Sequence, residues 1–248
     1  MRKLLVVALT FASVYSMGQG NTLYTVETIT PKMGKGSAFE SKWKAHLAKF
    51  HGQNDSRVIH EILSGDNAGS FVLFEGPISF ADMDNAKPNA EAHGLDYENM
   101  VSPTTEKVSG VYTYRWVDTL SYNGSMNADK FITTVYRLKP GKLGDLTAET
   151  KRALKVNTIM KSQGSYNTYI KLWAGSHPVM VVVSNLKDGF KQLDNNFIPS
   201  ASPSFKDVYV KEFGQEMWDR RLKLLPEITE SIDVSISKLR KDLSTPMK

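Results

Sequence analysis

The sequence predicts an α+β fold built from two copies of one βαββαβ unit, and two observations support this prediction. First, an apolar strand, a proline, a helical stretch, a strand, a glycine-containing turn and a further strand occur in that order over residues 23–74 and again over 132–183. Second, equivalent positions keep a constant spacing, so that Pro31 and Pro140 lie 109 positions apart. A repeat of about 110 residues has the length of a small domain, whereas solenoid repeats are about 20–50 residues long.

Each copy contains a predicted amphipathic helix and ends in a half-buried strand. In the first copy, 22–122, Ser37 and Glu40 fit a capping box at the start of a helix. The apolar stripe of that helix consists of Phe39, Trp43, Leu47 and Phe50. The second copy, 129–244, ends in a strand whose apolar residues alternate with polar ones: Ile232, Val234 and Ile236. We interpret both copies as ferredoxin-like units, which have this βαββαβ order.

The N-terminus, residues 1–18, has the pattern of a secretory signal peptide. Two basic residues precede an apolar run over 4–12, and the small residues Ser16 and Gly18 occupy positions −3 and −1 if cleavage occurs before Gln19. The run is far shorter than the ~20 residues needed to span a bilayer. We therefore expect an exported protein, periplasmic or secreted, whose mature chain has no membrane span.

The composition narrows the class of partner and the source of stability. The chain has 248 residues, a formal net charge of +5 and no cysteine. Because the charges of both signs are interspersed, we expect neither nucleic acid nor an anionic membrane surface as a partner. Without cysteine the protein has no disulfide and no thiolate metal site, so its stability must come from burial of apolar surface.

The predicted topology and its duplication resemble the dimeric α+β barrel superfamily. This superfamily includes antibiotic-biosynthesis-monooxygenase-like proteins, the NIPSNAP-like group and, more distantly, the chlorite dismutase group. The resemblance covers nearly all of 22–244 and rests on topology rather than on a signature motif. It implies that the two halves set their sheets face to face, with the helices outside, as one intramolecular pseudo-dimeric barrel. Such a chain is expected to be a monomer, with a homodimer as the alternative.

Strand alternation predicts which side chains face the lumen of such a barrel. The expected helix-facing residues are Val26, Val135, Ile62 and Ile170, and the expected lumen residues are Glu27, Tyr136, Glu61 and Tyr169. Arg115, on the polar face of the last strand of the first copy, could balance the two carboxylates. A desolvated carboxylate near tyrosine hydroxyls can act as a general base or anchor a ligand. The alternative is that these residues are solvated or paired with Lys or Arg.

The five histidines form no recognisable metal motif. His46 and His51 lie five positions apart, which does not match the i, i+4 pair of a helical metal site. His60 is expected on the helix-facing side of its strand. A histidine holds the haem in the chlorite dismutase group, and this resemblance makes His177, which lies in a predicted turn, a candidate haem ligand. An ordinary surface histidine is the alternative, and the sequence supports no metal site and no cofactor by motif.

The function that we expect first is the binding of a small, partly apolar molecule in the lumen. The sequence contains no catalytic motif of the hydrolase, zinc-protease, calcium-binding or dinucleotide-binding type. The resemblance implies one alternative, a monooxygenase-like oxidoreductase that is cofactor-free or haem-dependent. A further alternative is a structural or interaction protein whose lumen is filled by side chains. An open cavity would favour the first two readings, and a lumen plugged by tyrosine and tryptophan would favour the last.

Overall fold

The described residues of the first half form five strands and three α-helices. The computed structural model of the protein describes residues 22–52, 56–85, 89–124, 128–194 and 203–246, so the predicted signal peptide lies outside the described residues. The elements of the first half are β1 (Leu23–Pro31), α1 (Gly36–Phe50), β2 (Arg57–Ser64), β3 (Phe71–Ile78), α2 (Phe80–Asp84), α3 (Ala90–Asp96), β4 (Thr105–Val108) and β5 (Tyr112–Trp116). One turn of π-helix, Tyr97–Val101, continues α3.

The second half repeats this order with longer helices. Its elements are β6 (Lys130–Leu138), α4 (Leu143–Met160), β7 (Tyr166–Lys171), β8 (Val179–Asn185), α5 (Phe205–Phe213), α6 (Gln215–Ile228) and β9 (Thr229–Leu239). The last strand is continuous here, whereas in the first half it is divided into β4 and β5, which pair with different parts of β1.

The strands form one closed, antiparallel, eight-stranded barrel. Hydrogen bonding follows the order β5-β1-β3-β2 in the first half and β9-β6-β8-β7 in the second half. Each order is that of a ferredoxin-like unit, with the last strand beside the first. The halves join where β2 pairs with β9 and where β5 pairs with β7. The predicted α+β barrel of two tandem halves is therefore confirmed, and strand β4 adds to it beside the end of β1.

Helix α1 forms as predicted, but the predicted capping box is wrong. The helix begins at Gly36, and its N-cap residue, Lys35, makes no side-chain cap hydrogen bond. Glu40 instead accepts hydrogen bonds from Arg240, which lies just after β9. Reciprocal capping boxes form elsewhere, in Ser79 with Asp82 at α2 and in Ser204 with Asp207 at α5. The Ser–x–x–acid spacing therefore forms a cap at α2 and α5, where none was predicted, and not at α1.

The outer faces of the strands pack against the helices and form the main cores. The core under α1 combines Phe39, Trp43 and Leu47 of the helix with four strand residues: Ile29, Ile59, Phe71 and Leu73. The core under α4 and α6 includes Leu138, Met180, Leu146, Leu224 and Ile228. A separate cluster lies on the opposite, inner face of the strands and consists of Ala128, Phe131, Val183 and Leu239, with Val58, Tyr169 and Val181 against it. The lumen therefore has its own apolar lining.

No helix in the described part of the chain is long and apolar enough to cross a bilayer.

Candidate functional site

A cavity of about 1350 Å³ opens at one end of the barrel and continues into its interior. The interior part is lined from both halves, by Val58, His60 and Phe74 of the first half and by Phe131, Tyr169 and Val183 of the second. The outer part is lined by residues around the C-terminus of α1 and the start of α3, including Phe50, His51 and His93. A mostly apolar concave site with a few polar groups is the usual form of a small-molecule site.

His60 is the buried imidazole of the lumen. It is 3% exposed and lies between two phenyl rings, with ring centroids 4.7 Å from Phe131 and 5.1 Å from Phe74. Its Nδ1 lies 3.4 Å from the Ser237 hydroxyl of β9. Burial lowers the pKa of His60 to about 4, because the charged imidazolium is poorly solvated there. His60 is therefore neutral at physiological pH and can donate or accept one hydrogen bond.

Two tyrosines supply further polar groups at the cavity wall. The rings of Tyr24 and Tyr169 meet edge to face, with centroids 5.6 Å apart. Burial raises the pKa of both hydroxyls, so both are protonated across the physiological range. Neither hydroxyl makes a hydrogen bond to another of the described residues. They are therefore available to a bound molecule as donors or acceptors.

The predicted lumen position of Glu27 is wrong. Residues directly opposite each other in antiparallel strands project to the same face, and Glu27 lies opposite Leu73, which belongs to the core under α1. Val26 lies opposite Phe74, which lines the cavity. The prediction placed Val26 under the helix, so the whole strand was assigned to the wrong face, which is the effect of a one-residue slip.

Glu61 also lies on the helix-facing side. It is opposite Phe71 of the core under α1, and its carboxylate accepts a hydrogen bond from Arg240 at 3.1 Å. Arg240 in turn binds Glu40 of α1. Glu61 thus belongs to an ion cluster outside the barrel rather than to the lumen.

The remaining predicted ligand residues divide between the two faces. Tyr169 lies in the lumen, as the alternation predicted. Tyr136 packs with the core under α4 and α6, so its predicted face is wrong. Arg115 is exposed and lies opposite Leu23 and Ile170. Since Ile170 also packs under the helices, Arg115 projects outward. The structure does not bring together the five predicted residues.

His177 lies in the turn between β7 and β8, away from the cavity. Its side chain is half exposed, and Nε2 lies 3.0 Å from the Glu230 carboxylate. Strand β8 begins at Val179, opposite Arg137 at the end of β6, whereas the cavity is lined from the other end of the same two strands. His177 therefore does not fit the predicted role of a haem ligand in the lumen.

Three other histidines meet beside the mouth of the cavity and were not predicted as a site. His46 comes from α1, His51 follows the end of α1, and His93 comes from α3. Nε2 of His93 lies 3.1 Å from Nε2 of His46 and 3.1 Å from Nε2 of His51. His46 is 1% exposed and His51 is 9% exposed. We call these three residues the histidine cluster.

Charged and aromatic side chains surround the histidine cluster. Nδ1 of His46 lies 2.9 Å from the Asp96 carboxylate, whose other oxygen accepts a hydrogen bond from Lys49 at 2.7 Å. These two contacts lower the pKa of Asp96, the contact with Lys49 more than that with His46. Burial lowers the pKa of His46, although Asp96 opposes this effect. Trp43, Phe50 and Tyr97 pack their rings within 6 Å of the His46 ring.

One signal in the sequence could have identified His46 as an inward-facing residue. Positions 43, 46, 47 and 50 of α1 follow the i, i+3, i+4, i+7 spacing of one helical face, so His46 belongs to the apolar stripe of that helix. No local signal links His46 to His93, because the two residues lie 47 positions apart. Their contact depends on how α3 packs against α1.

Comparison with known proteins identifies the fold but no close relative. No protein-family model matches the sequence, and no characterised protein matches it by sequence comparison. Among solved structures, a proposed monooxygenase from Fusobacterium nucleatum is 11% identical with a TM-score of 0.53, covering 89% of this chain and 93% of that one. A proposed monooxygenase from Lactobacillus acidophilus is 10% identical with a TM-score of 0.51, covering 90% and 96%. A chlorite dismutase variant from Candidatus Nitrospira defluvii is 6% identical with a TM-score of 0.52, covering 91% and 94%.

These likenesses extend over nearly the full length of each chain and agree with the strand order. The protein has the dimeric α+β barrel fold, with both halves in one polypeptide. At identities this low the likeness concerns the fold, and function depends on the residues of the site.

Proposed function

We propose that this protein binds a small, partly apolar molecule in the lumen of its barrel. The observation that carries the proposal is the cavity of about 1350 Å³, which reaches from the surface to His60. Its volume exceeds the ~300–1000 Å³ of typical small-molecule pockets, so a ligand of that class has room. Burial of apolar ligand surface against Phe74, Phe131 and Val183 would supply most of the binding free energy.

The polar groups of the lumen suggest which ligand features are recognised. His60 is neutral, and the hydroxyls of Tyr24 and Tyr169 are protonated, so the interior offers hydrogen bonds but no charge near these residues. A ligand with one or two hydroxyl or carbonyl groups on an apolar body would satisfy them. A buried anionic group would lack a compensating cation there and is disfavoured.

The second candidate is a monooxygenase-like oxidoreductase, which the fold likeness to proposed monooxygenases favours. Such chemistry on a phenolic substrate requires a group that removes a proton. The lowered pKa of His60 makes it a weak base, and general bases work best with a pKa near the operating pH. The groups of the lumen therefore favour binding over catalysis, and we rank the oxidoreductase second.

The remaining alternatives have less support. A barrel filled by side chains does not agree with the cavity, although apolar residues do line its inner end. His177 was the candidate ligand for the haem-dependent alternative. It lies outside the cavity and pairs with the Glu230 carboxylate. We therefore derive no step through a haem group.

The first test is native mass spectrometry of the purified mature protein, with a visible absorption spectrum of the same sample. A bound organic mass would support the proposal and identify the ligand class, and a haem spectrum would overturn our ranking. The sample is then titrated with N-phenyl-1-naphthylamine, an uncharged fluorescent probe with a large apolar body and one N–H group. We expect saturable binding of one probe to each chain.

A matched pair of variants locates the bound probe. Val183→Trp inserts an indole ring into the cavity from β8, and we expect it to reduce probe affinity at least tenfold. Val234→Trp makes the same change on the outer face of β9, where Val234 is 55% exposed, and should bind as wild type does. Equal binding by both variants, with both folded by circular dichroism, would overturn the lumen as the site.

We also propose that the protein is exported after cleavage before Gln19. The basic pair, apolar run and small residues of 1–18 support this proposal. The intact mass of the protein from the exported fraction should match a chain that begins at Gln19. A full-length chain that remains in the cytosolic fraction would contradict it.

A further inference from the structure

We propose that His46, His51 and His93 bind one divalent transition-metal ion, and that zinc is the ion their donor atoms suit best. Each residue offers one ring nitrogen, and these nitrogens all lie within 4.8 Å of one another. Imidazole nitrogen is a preferred ligand of zinc, and sets of three histidines are a known arrangement of zinc ligands in proteins. The site uses no residue of the inner lumen, so metal binding can be tested without the lumen ligand.

Two of the three separations between the nitrogens fit tetrahedral coordination. Zinc binds imidazole nitrogen at about 2.0–2.1 Å, so two ligands at a tetrahedral angle lie about 3.3 Å apart. The two Nε2–Nε2 distances that involve His93 are both 3.1 Å. An ion placed between the three rings would therefore need shifts of only tenths of an ångström in these two distances, and it would bring the nitrogens of His46 and His51, which lie within 4.8 Å, to the same separation.

The protons available to the cluster do not satisfy these contacts by hydrogen bonding alone. Asp96 accepts a hydrogen bond from Nδ1 of His46, which leaves a lone pair on Nε2 of that ring when the imidazole is neutral. Nε2 of His93 faces this lone pair and also faces Nε2 of His51. A single ring nitrogen carries either a proton or a lone pair. Nε2 of His93 can therefore form an ordinary hydrogen bond in at most one of the two contacts. A cation that accepts three lone pairs resolves this arrangement.

Asp96 provides the outer-shell contact that metal-binding histidines usually have. Such histidines donate their second ring N–H to a carboxylate, which fixes the tautomer and raises the basicity of the ligand. Asp96 makes this contact with His46 at 2.9 Å, and Lys49 holds the other carboxylate oxygen at 2.7 Å. The aromatic rings of Trp43, Phe50 and Tyr97 around His46 reduce solvent access on that side.

The second half of the chain shows that the fold itself does not require this cluster. The corresponding contact between helices, α4 with α5, combines Val156, Val208 and Tyr209 with the ion pair of Lys155 and Glu212 at 2.8 Å. Helices at this place in the other half therefore pack against each other without a histidine. The three histidines are a feature of the first half alone among the described residues, which fits a binding role better than a packing role.

Three protein ligands leave a fourth coordination position for water or a ligand atom. His51 and His93 line the cavity, whereas His46 is a buried residue of α1 that does not line it. The open position would therefore face the mouth of the cavity, where a metal-bound water or an oxygen atom of an entering molecule can lie.

The test is metal binding by the purified mature chain. We would measure its metal content as purified, remove metal with a chelator, and titrate the apoprotein with Co²⁺ while recording the visible spectrum. Tetrahedral Co²⁺ gives intense d–d bands, so the readout reports coordination directly and requires no activity and no lumen ligand. We expect one equivalent of Co²⁺ to bind and Zn²⁺ to displace it.

Three variants test whether the ion binds at the histidine cluster. His93→Gln removes a partly exposed ligand on the short helix α3 and should abolish the tetrahedral spectrum. Asp96→Asn keeps the three ligands and should weaken affinity about 10–100-fold, as loss of an outer-shell contact does. His177→Gln, the matched control, removes a half-exposed histidine from a turn and should bind Co²⁺ as wild type does.

Two outcomes would overturn the site. One is an apoprotein that binds no Co²⁺ or Zn²⁺ while it remains folded. The other is a tetrahedral spectrum that remains unchanged in His93→Gln. Circular dichroism verifies that this variant is folded. Loss of the spectrum in His177→Gln would place the ion at the turn instead and would also overturn the proposal.

Discussion

His60 of the first half stacks on Phe131 of the second half inside the barrel, with ring centroids 4.7 Å apart and planes at 18°. The two strands that carry these residues, β2 and β6, are both neighbours of β9 in the sheet. Because His60 is buried between aromatic rings, it cannot easily hold a proton. The contact that joins the halves is therefore sensitive to acid.

This relationship predicts a specific loss of stability at low pH. The pKa of His60 is about 4 in the folded protein and about 6.5 in the unfolded chain. Below pH 6.5 the unfolded chain binds a proton that the folded protein does not, so unfolding becomes more favourable as the pH falls. The loss should reach about 3 kcal/mol by pH 4.

The measurement is urea unfolding of wild type and of His60→Gln between pH 4 and pH 7.5. The variant cannot titrate at this position, so its unfolding free energy should fall less steeply than that of wild type between pH 6.5 and pH 4. Other titrating groups act equally in both proteins and cancel in the difference. Parallel curves would show that His60 does not carry this effect.

Much of the fold could be predicted from the sequence, because the duplication repeats the strand order and the alternation marks each strand. The faces of the strands could not. Strand β2 has apolar residues on both sides, with Ile59 in the core under α1 and Val58 at the lumen. In a closed barrel with helices outside, neither face is uniformly polar, so the alternation pattern alone does not distinguish them.

The register of the repeat explains the error at Glu61. Glu61 lies opposite Phe71 in its half, and Ile170 lies opposite Met180 in the other. These pairs keep the spacing of 109, so Glu61 corresponds to Ile170 rather than to Tyr169. The lumen position equivalent to Tyr169 is His60, so the expected helix-facing position of His60 is wrong.

Glu27 should destabilise the protein at neutral pH. Burial raises the pKa of this carboxyl, although Arg57 opposes the effect. A raised pKa means that the folded protein prefers the protonated acid, so its contribution to stability is present below pH 4.5 and is lost as the pH rises through the folded pKa. Glu27→Gln replaces the carboxylate by a neutral isostere and should be more stable than wild type at pH 7.

Chemical denaturation at pH 7 and at pH 4.5 tests this prediction. The difference between Glu27→Gln and wild type should be largest at pH 7 and should shrink toward pH 4.5. Because Glu27 faces the helices, probe binding in the lumen should remain unchanged. A variant less stable than wild type at pH 7 would indicate that the ionised carboxylate stabilises the fold through Arg57.

Arg240 connects the end of β9 to the first half and should contribute strongly to stability. Its guanidinium binds Glu40 at 2.7 Å, Glu61 at 3.1 Å and Asp242 at 2.9 Å, and it is 14% exposed. Arg240→Met retains the apolar stem but removes the cation that the three carboxylates share, which leaves, among the described residues, only Lys44 beside Asp242. We expect a loss of about 2 kcal/mol, below the ~3–5 kcal/mol for a fully buried pair because the carboxylates are partly exposed.

Lys44 provides the matched control for Arg240. It pairs with the same Asp242 at 2.9 Å, but both side chains are about half exposed. Lys44→Met should change the unfolding free energy by less than about 1 kcal/mol. Arg240 lowers the pKa of Glu40 and Asp242, so the cost of Arg240→Met should diminish as the pH falls and these acids protonate. Equal losses in the two variants would contradict the cluster as a stabilising unit.

The segment after β9 should make the two halves unfold as one unit. Leu243 is fully buried in the core under α1, and its carbonyl accepts a hydrogen bond from Nε1 of Trp43 at 2.8 Å. A residue at the end of the second half thus completes the core of the first.

Leu243→Ala leaves a cavity there and should cost about 3 kcal/mol of unfolding free energy. The matched control Leu222→Ala, at an exposed position of α6, should cost less than about 0.5 kcal/mol. Fluorescence of Trp43, read in a background that replaces Trp116, Trp173 and Trp218 by Phe, and far-ultraviolet circular dichroism should report a single transition with and without Leu243→Ala. Two separate transitions would show that the halves fold independently.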